Sequence, residues 1–323
     1  MSVTSQLAPE VAVLDAEGLS GRPASLWRTA LRRFLRRRSA IVGLLMLTIL
    51  TLTAVFAPLI APYAPNETLH DEPVAKREPP CIHLLGCPRD HPQHLMGIDG
   101  NVRDLFSRVV YGARYSLVIG FTTVSFAIVL GTVLGALAGY LGGWVDNVIM
   151  RVMDVLLAFP ALLLAIAIVA VIGPGLINAL LAIAIVTIPA YARVMRASVL
   201  SVKETNFIAA SKALGASPSR ILFVSILPNA MTPLIVLGTL EVASAILNAA
   251  ALSFLGLGAQ PPTPEWGYML STERNQVFTS PHLVFFPGLA IMLTVLSFNL
   301  LGDGLRDALD PTLAHRGPGA GRA

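Results

Sequence analysis

Six apolar segments of about 20 residues dominate this chain, and each is long enough to cross the hydrocarbon core of a bilayer. Only 13% of the residues are charged and 54% are hydrophobic, whereas soluble domains carry roughly 25% charged residues. The sequence therefore predicts an all-α membrane protein with six transmembrane helices. The predicted spans are residues 40–61, 115–140, 155–173, 176–195, 230–252 and 283–302.

Lysine and arginine residues are distributed unevenly between the connecting segments, which predicts the orientation of the chain. Sixteen of the 23 lie in the N-terminal tail, the turn at Arg151, residues 192–229 and the C-terminal tail, and six lie in the alternate connections. Because basic residues near span ends resist translocation, both termini are expected to be cytoplasmic. A basic run precedes the first span, which we interpret as retained and not as a cleaved signal peptide; the run is Arg32, Arg33, Arg36, Arg37 and Arg38.

These patterns divide the chain into a long membrane core and four flanking parts. The core covers residues 113–303, contains five transmembrane helices and includes a cytoplasmic loop at residues 200–229, here called the coupling loop. The other parts are a cytoplasmic N-terminal tail (1–39), a first transmembrane helix (40–61), an extracytoplasmic segment (62–112) and a cytoplasmic C-terminal tail (304–323).

The extracytoplasmic segment contains both cysteines of the chain and four of its six histidines. These are Cys81 and Cys87, with His70, His83, His91 and His94. A disulfide between the two cysteines suits an oxidising compartment, while mixed cysteine and histidine ligands can hold zinc. Three alternatives stay open for the cysteines: a disulfide, free thiols and zinc. Zinc is the least favoured of them because the spacing matches no zinc motif, so we predict no metal site.

Glu241 is the one ionisable residue that lies clearly within a predicted span. Ion-coupled carriers place groups of this kind at membrane depth as relays, in contact with a partner. Because no second ionisable group accompanies Glu241, an energy source outside this chain is favoured. An ion-coupled secondary transporter is the alternative function, and Glu241 would then be the residue to test.

Small residues and prolines predict how the spans pack and bend. Gly131, Gly135 and Gly139 are four residues apart, so they share one helical face and let a neighbouring helix approach closely. Prolines inside or at the edges of spans predict bends, because neighbouring groups satisfy the carbonyls that proline leaves free. These prolines are Pro160, Pro189, Pro233 and Pro287.

Sequence motifs typical of enzymes and of nucleotide binding are missing. The chain has no His-Glu-x-x-His helix, no Gly-x-Ser-x-Gly elbow and no Gly-x4-Gly-Lys-Ser/Thr phosphate loop. We therefore expect a chain that is not catalytic and that binds no ATP or other cofactor itself. The net charge of +4 and the 7% aromatic content give no indication of nucleic-acid binding.

The coupling loop has the pattern of a helix, a turn and a second helix. Alanine, lysine and leucine favour a helix over residues 206–214, and Gly215 is suited to a left-handed C-terminal cap. Ser217 and Pro218 then fit the N-cap and first position of the next helix. A short helix on the cytoplasmic face of a membrane protein is a natural docking element for a partner.

The same residues resemble the EAA loop of ABC-importer permeases. Ala209, Ala210 and Ser211 are followed by Gly215, and the Leu227-Pro228 pair begins twelve residues after that glycine, at the family's distance. The resemblance implies that this loop docks in a cleft of an ATPase subunit. The implied coupling residues are Phe207, Ala209, Ala210, Ser211, Gly215, Leu227 and Pro228.

Further blocks over roughly residues 25–311 resemble permeases of the dipeptide/oligopeptide/nickel family, of the C-subunit type. They include Met96-Gly97-Ile98-Asp99, Gly112-Ala113-Arg114-Tyr115-Ser116-Leu117, Gly139-Tyr140-Leu141-Gly142-Gly143-Trp144-Val145-Asp146, Leu252-Ser253-Phe254-Leu255-Gly256-Leu257-Gly258 and Pro264-Glu265-Trp266-Gly267. Two positions depart from the family pattern. The glutamate of the EAA motif is replaced by Ala209, and Ala249 stands where related permeases often carry glutamate.

The resemblance implies a fold, a set of partners and a location. It implies the transmembrane architecture of a type I ABC importer in a bacterial cytoplasmic membrane, with half of the translocation pathway in this chain. The implied partners are a second, homologous permease, two P-loop ATPase subunits that bind ATP and Mg²⁺, and an extracytoplasmic binding protein. Peptides are the favoured substrates, and nickel chelates and glutathione are the alternatives within the family.

Overall fold

The computed structural model describes residues 31–309, except residue 33, and this part of the chain is mostly helical, with no β-strand and a long irregular segment between residues 61 and 104. The predicted tails therefore fall mostly outside the described residues, as do Arg33 and residues 25–30 and 310–311 of the resemblance. In chain order the helices are α1 (Arg38–Val55), α2 (Ala57–Ile60), α3 (Leu105–Leu141), α4 (Gly143–Leu157), α5 (Ala161–Ile172), α6 (Leu176–Lys203), α7 (Asn206–Ala213), α8 (Pro218–Arg220), α9 (Leu227–Ala230), α10 (Thr232–Phe254), α11 (Trp266–Glu273) and α12 (His282–Leu309).

Five helices of the described chain are long and apolar enough to cross a membrane, and a bent pair supplies a sixth span. The five are α1, α3, α6, α10 and α12, and the pair is α4 with α5, which meet at 92°. At about 1.5 Å per residue, the 12 residues of α5 cover only about 18 Å. The third predicted span is thus a broken one, and Pro160, the N-cap of α5, lies at the break as predicted.

Helix α3 begins ten residues before the second predicted span and is 37 residues long. The hydropathy pattern places the start of the span after Arg108 and Arg114, but the helix continues back to Leu105 because Asp104 caps it. The Asp104 carboxylate accepts a hydrogen bond from the Ser107 backbone N–H at 2.7 Å. The first turns of α3 therefore belong to the extracytoplasmic segment, and one helix joins that segment to the membrane core.

Helices α3 and α6 pack against each other more extensively than any other pair in the described chain. Gly131, Gly135 and Gly139 lie at their contact, as predicted, with Gly139 against the Arg196 carbonyl. A Cβ added at Gly139 would come within 2.9 Å of that oxygen, and Cβ atoms at the other two would collide with Tyr191 and Ala192. Glycine is needed here because the two helix backbones touch.

Helices α3, α6, α10 and α12 form the core, and α1 is attached at its periphery. The α1 window is the least buried of the five long spans, at 17%. It contacts the C-terminal half of α12 through small residues, since Gly43 lies against Leu300 and Gly304 lies against Ala40. The packed helical core is therefore formed by elements of α3–α12, with α1 added on the outside.

Candidate functional site: the coupling loop and the extracytoplasmic segment

The coupling loop has the predicted helix-turn-helix conformation. Helix α7 covers Asn206–Ala213, Gly215 has a φ of +79°, and Ser217 caps the turn that begins at Pro218. The Ser217 hydroxyl accepts a hydrogen bond from the Arg220 backbone N–H at 3.4 Å. A φ of this sign favours glycine, because a Cβ would clash with the backbone, so the sharp turn depends on Gly215.

One buried side chain anchors α7 to the rest of the molecule. Ile208 is fully buried in an apolar cluster with Met195 and Val199 of α6 and with Ile221 and Ile226 of the segment that follows the turn. The remaining residues of α7 surround this anchor and are largely exposed. The helix therefore lies against the end of α6 by one face and presents the other faces to solvent.

The residues implied in coupling form most of that exposed surface. Phe207, Ala209, Ala210, Gly215 and Pro228 are exposed, and Ser211 and Leu227 are partly buried. The Ser211 hydroxyl donates a hydrogen bond to the Phe207 carbonyl at 2.8 Å. Leu214, which the sequence reasoning did not include, is 88% exposed beside Gly215. The surface thus combines small residues with two large apolar side chains, Phe207 and Leu214.

Two polar side chains tie the coupling loop to the C-terminal end of α3. The Tyr140 hydroxyl donates to the Pro218 carbonyl at 2.9 Å, and the Lys203 ammonium donates to the Tyr140 carbonyl at 2.9 Å. The same ammonium lies 5.7 Å from the centre of the Tyr140 ring, within cation–π range. No sequence pattern indicates that Tyr140 and Lys203 tie the loop to α3, although Tyr140 belongs to a block that resembles the family.

A π-helical turn and a proline connect the coupling loop to α10. Residues Ile221–Ile226 form the π-helix, and Pro228 follows in the short helix α9. Proline has no N–H to donate to a carbonyl one turn earlier, which disfavours a regular α-helix at this point. Ile221, Leu222 and Ile226 are buried, so the irregular turn still packs its apolar side chains onto the core.

Two ion pairs hold α4 against the C-terminal half of α6. Arg196 donates from Nε and Nη2 to the two carboxylate oxygens of Asp146, and Arg193 donates to Asp154 at 2.6 Å. The Arg193–Asp154 pair is about half exposed at both partners, so its net contribution to stability is small. The pairs nevertheless fix the position of α4, because the helix has few buried side chains.

A buried polar cluster organises the extracytoplasmic segment around the start of α3. His94 Nδ1 lies 2.9 Å from the Asp104 carboxylate, and the Tyr63 ring stacks on His94 at 5.6 Å. The Tyr63 hydroxyl donates to Glu72 at 3.4 Å. Burial, together with the Glu72 charge, raises the pKa of Tyr63 to about 12, so the hydroxyl keeps its proton at physiological pH. The cluster is therefore a fixed support for the helix start.

Ion pairs and hydrogen bonds of charged side chains join the extracytoplasmic segment to α11 and also join residues within the segment. Arg77 Nε donates to Glu273 at 3.0 Å, and the other oxygen of that carboxylate accepts from the Gly100 N–H at 3.1 Å. Asp99 pairs with Arg103 at 2.8 Å and lies 3.6 Å from Arg108. Because these groups are paired within the protein, the segment and α11 form one extracytoplasmic platform.

Cys81 and Cys87 form a disulfide in the structure. Of the three alternatives left open by the sequence, the structure therefore contains the disulfide. His91 lies close to both sulfur atoms, but sulfurs bonded to each other are not the thiolate ligands that zinc binds. The bond closes a short loop whose apolar tip, Leu84 and Leu85, is 97% and 81% exposed.

Helix α11 lies between the extracytoplasmic segment and the membrane core. The Glu265 carboxylate caps it by accepting hydrogen bonds from Gly267 N–H at 2.9 Å and Tyr268 N–H at 2.8 Å. Burial raises the pKa of Glu265, and these backbone hydrogen bonds lower it in part. The Trp266 indole donates to the Val109 carbonyl of α3 at 2.9 Å. The sequence patterns predict no helix at Trp266–Glu273, between the fifth and sixth predicted spans.

The two departures from the family pattern have different surroundings. Ala209 is exposed on α7, so the missing glutamate would have been at the surface. An acidic side chain is nevertheless present nearby, because the exposed Glu204 lies five residues before Ala209. Ala249 is 3% exposed within the main apolar cluster. A glutamate at that position would be buried among apolar groups at a large cost, whereas alanine fits the cluster.

Two family models match this chain. The model described as "Binding-protein-dependent transport system inner membrane component" matches residues 131–315, and the "N-terminal TM domain of oligopeptide transport permease C" matches residues 25–80. The first match covers more than half of the chain and includes the coupling loop. The second covers the peripheral helix α1 and the start of the extracytoplasmic segment, so both parts of the fold have counterparts in known permeases.

Relatives with related functions match over most of their length. The dipeptide transport system permease protein DppC of Alkalihalophilus pseudofirmus is 50% identical over 90% of this chain and 91% of its own. The di/tripeptide permease DppC of Pseudomonas aeruginosa is 49% identical over 87% and 91% of the two chains. The glutathione permease GsiD of Escherichia coli is 47% identical over 89% and 91%.

The fold is similar to that of a solved importer. A chain of the inward-facing MetNI methionine ABC transporter superposes with a TM-score of 0.52 at 19% identity, covering 63% of this chain and 96% of the other. At this identity the likeness shows the fold alone, which is the transmembrane architecture of a type I ABC importer, as predicted.

Function and location follow from the family. The protein is a multi-pass permease subunit of the bacterial inner membrane, it is not catalytic itself, and it acts in a complex with ATPase and substrate-binding partners. These conclusions replace the alternative of an ion-coupled secondary transporter. The chain belongs to the family of binding-protein-dependent transport system inner membrane components, within the ABC importers.

Proposed function

We propose that this permease imports short peptides and forms half of their translocation pathway. The observation that carries the proposal is the 50% and 49% identity, over about nine tenths of the chain, to permeases named for dipeptides and for di- and tripeptides. The 47% identical relative is named for glutathione, which is itself a tripeptide. Peptide is therefore the substrate class that all these relatives share, and a nickel chelate has no comparable support.

We further propose the composition of the complex. A second, homologous permease pairs with this chain as a heterodimer, so that the pathway runs between the two. Two P-loop ATPase subunits lie beneath them and bind ATP and Mg²⁺, and an extracytoplasmic binding protein delivers the peptide. The absence of a phosphate-binding motif from this chain supports the assignment of ATP to separate subunits.

In this proposal the coupling loop is the contact with one ATPase subunit. Its support is the exposed surface of Phe207, Ala209, Ala210 and Gly215, with the partly buried Ser211 among them, on a helix and turn anchored by the buried Ile208. Small residues allow a cleft to close around α7, and the exposed Phe207 adds apolar area to the contact. Glu204 is the acidic group that replaces the glutamate missing at Ala209.

Motion in the loop is expected to reach the core by two connections. Ile208 packs on α6, and the bonds of Tyr140 with Pro218 and Lys203 join the loop to α3. When the ATPase subunits close on ATP, a push on α7 would therefore move α3 and α6 together. At the opposite side of the membrane, the platform of the extracytoplasmic segment and α11 is the part available to receive the binding protein.

Purification of the native complex tests the proposal. The chain is extracted from its own membrane in mild detergent, co-purifying proteins are identified, and ATPase activity and uptake are measured in vesicles with a dipeptide, glutathione and a nickel chelate. We expect a second permease, P-loop ATPases and uptake of peptide. Uptake of the nickel chelate alone would contradict the substrate class, and purification without an ATPase would contradict the composition of the complex.

A further inference from the structure

Helix α10 carries a polar stripe through the middle of the membrane core. Between Leu240 and Leu252 its polar residues are Glu241, Ser244 and Asn248. Their spacing of three and four residues places all three on one face of the helix. Lipid does not solvate a carboxylate or an amide, so polar groups at this depth normally face protein or a water-filled path.

The stripe is not part of the packed core, and two of its three residues line a cavity. Ser244 is exposed, and Glu241 and Asn248 are partly exposed. Glu241 and Asn248 line a cavity of about 190 Å³ together with Leu162 and Ala165 of α5 and Thr187 of α6. The cavity thus has a carboxylate, an amide and a hydroxyl among largely apolar walls, the usual composition of a site for a small polar ligand.

The Glu241 carboxylate has no ion pair and no hydrogen bond with any residue that the structure describes. It differs in this respect from Asp146 and Asp154, which pair with Arg196 and Arg193 at the cytoplasmic end of α6. Glu241 lies nine residues after the start of α10, which corresponds to about 14 Å along the helix axis. A carboxylate at that depth needs a partner, and the described part of this chain does not provide one.

A second unsatisfied polar group lies beside it. The Tyr191 hydroxyl is fully buried and has no hydrogen-bond partner in the described part of the chain. Glu241 is its charged neighbour. Buried hydroxyl groups are rarely left without a partner, yet neither Tyr191 of α6 nor Glu241 of α10 has one among the residues that the structure describes.

We propose that Glu241 contacts the substrate on the wall of the translocation pathway and binds the α-ammonium group of the passing peptide. A carboxylate and an ammonium form the strongest type of hydrogen bond available between peptide and wall. Ser244 and Asn248 continue the same face and offer hydrogen bonds to peptide amide groups. The inference rests on the proposed function, because the ammonium group belongs to a peptide substrate.

Thiol labelling tests whether the stripe lines a water-filled path, and it does not depend on transport. The two native cysteines are joined in a disulfide, so an introduced cysteine is the thiol that reacts in this chain. Ser244→Cys and Asn248→Cys are labelled with a small, charged methanethiosulfonate in the assembled complex. Leu45→Cys is the matched control, because Leu45 is 58% exposed but lies on the peripheral, apolar α1.

We expect both stripe cysteines to react at least tenfold faster than the control. Excess dipeptide delivered with the binding protein should slow their reaction. Reaction of the stripe cysteines at the rate of Leu45→Cys would overturn the assignment of this face to the pathway.

Uptake measurements test the role of the charge. Glu241→Gln keeps the size of the side chain and removes its charge, so we expect the maximal rate of dipeptide uptake to fall at least tenfold, with Glu241→Asp retaining most of it. The half-saturating concentration should stay unchanged, because the binding protein captures the peptide first. The yield of assembled complex should also be unchanged.

Two results separate failure of this inference from failure of the proposed function. If the wild-type complex imports dipeptide and Glu241→Gln does so equally well, the role of Glu241 is wrong and the peptide assignment stands. If Glu241→Gln instead reduces assembly, Glu241 pairs with the partner permease and the inference is again wrong. A wild-type complex that imports no peptide refutes the proposed function, whatever the labelling shows.

Discussion

At the scale of single residues, the contact between α3 and α6 depends on glycines, which have no Cβ atom. Gly135 lies directly against the Ala192 carbonyl of α6, and a Cβ at this position would overlap that oxygen. The backbone atoms involved belong to two long helices, so neither can move aside without disturbing neighbouring contacts. Gly288 of α12 has the opposite surroundings, with no atom within 4 Å of a Cβ.

This difference predicts opposite effects of the same substitution. Gly135→Ala should destabilise the protein by about 1–3 kcal/mol, the usual cost of overpacking a tight contact. Gly288→Ala should be neutral or stabilising by up to about 1 kcal/mol, because alanine is the better helix former. Thermal unfolding of the purified complex in detergent measures both. Equal stability of the two variants would show that the helices can separate at Gly135 without cost.

Residue patterns predicted this contact because its cause is local in sequence. Three glycines at intervals of four mark a helix face wherever that helix lies. The partner helix and the ties of Tyr140 and Lys203 could not be found in the same way. Their hydrogen bonds join residues 63 and 78 positions apart in sequence, and no local signal specifies which distant carbonyl a side chain meets.

At the scale of elements, the coupling loop was predicted almost residue by residue. Its turn depends on Gly215 and its second helix on Ser217 and Pro218, and these preferences act within a few residues. Two other elements were not predicted. The early start of α3 depends on the Asp104 cap and also on partners for the buried Arg108, which donates to the Pro65 carbonyl at 2.7 Å. Helix α11 depends on packing, since Trp266 is buried against α3.

Bulk at the turn of the coupling loop is expected to separate ATP hydrolysis from uptake. In Gly215→Trp a large side chain would stand on the exposed surface proposed to enter the ATPase cleft, so peptide uptake should fall at least tenfold while basal ATPase activity continues. Uptake and peptide-stimulated ATPase activity are measured in the same vesicles. Any side chain at φ +79° strains the backbone, so the control must share that strain.

Gly215→Asn is the matched control, because asparagine tolerates the left-handed conformation better than other side chains. It should keep most of the coupling. If Gly215→Trp transports peptide with normal coupling, the proposed docking of this surface is wrong. If both variants fail equally, backbone strain at the turn is the cause and bulk is not.

At the scale of the whole molecule, the number of spans sets which surfaces share a side of the membrane. With the pair α4 and α5 counted as one, the described chain has six spans, and an even number returns the chain to the side where it began. Three of these spans, α3, the pair of α4 and α5, and α6, separate the disulfide loop of Cys81 and Cys87 from the coupling loop, so the two loops must lie on opposite sides. The uneven distribution of basic residues predicts that the coupling loop is cytoplasmic.

Labelling from one side of the membrane tests this orientation. In intact spheroplasts, a membrane-impermeant maleimide should react with Cys81 and Cys87 after reduction with an impermeant phosphine. Lys212→Cys, on the exposed side of α7, should react only after the membrane is opened. The two sites control for each other in one experiment. Reaction of Lys212→Cys in sealed spheroplasts would reverse the predicted orientation.

Helix α3 is 37 residues long, about 55 Å, and extends from Asp104 in the extracytoplasmic segment to the Tyr140 region beneath the coupling loop. Because the glycine contact holds α3 closely against α6, we expect the two helices to move as one rigid body that extends to both sides of the bilayer. A tilt of about 10° around the midpoint of such a rod would displace each end by about 5 Å in opposite directions. When the ATPase subunits close, one rigid-body movement of this kind would therefore shift the extracytoplasmic end of the pathway at the same time. No series of side-chain rearrangements through the membrane would be needed.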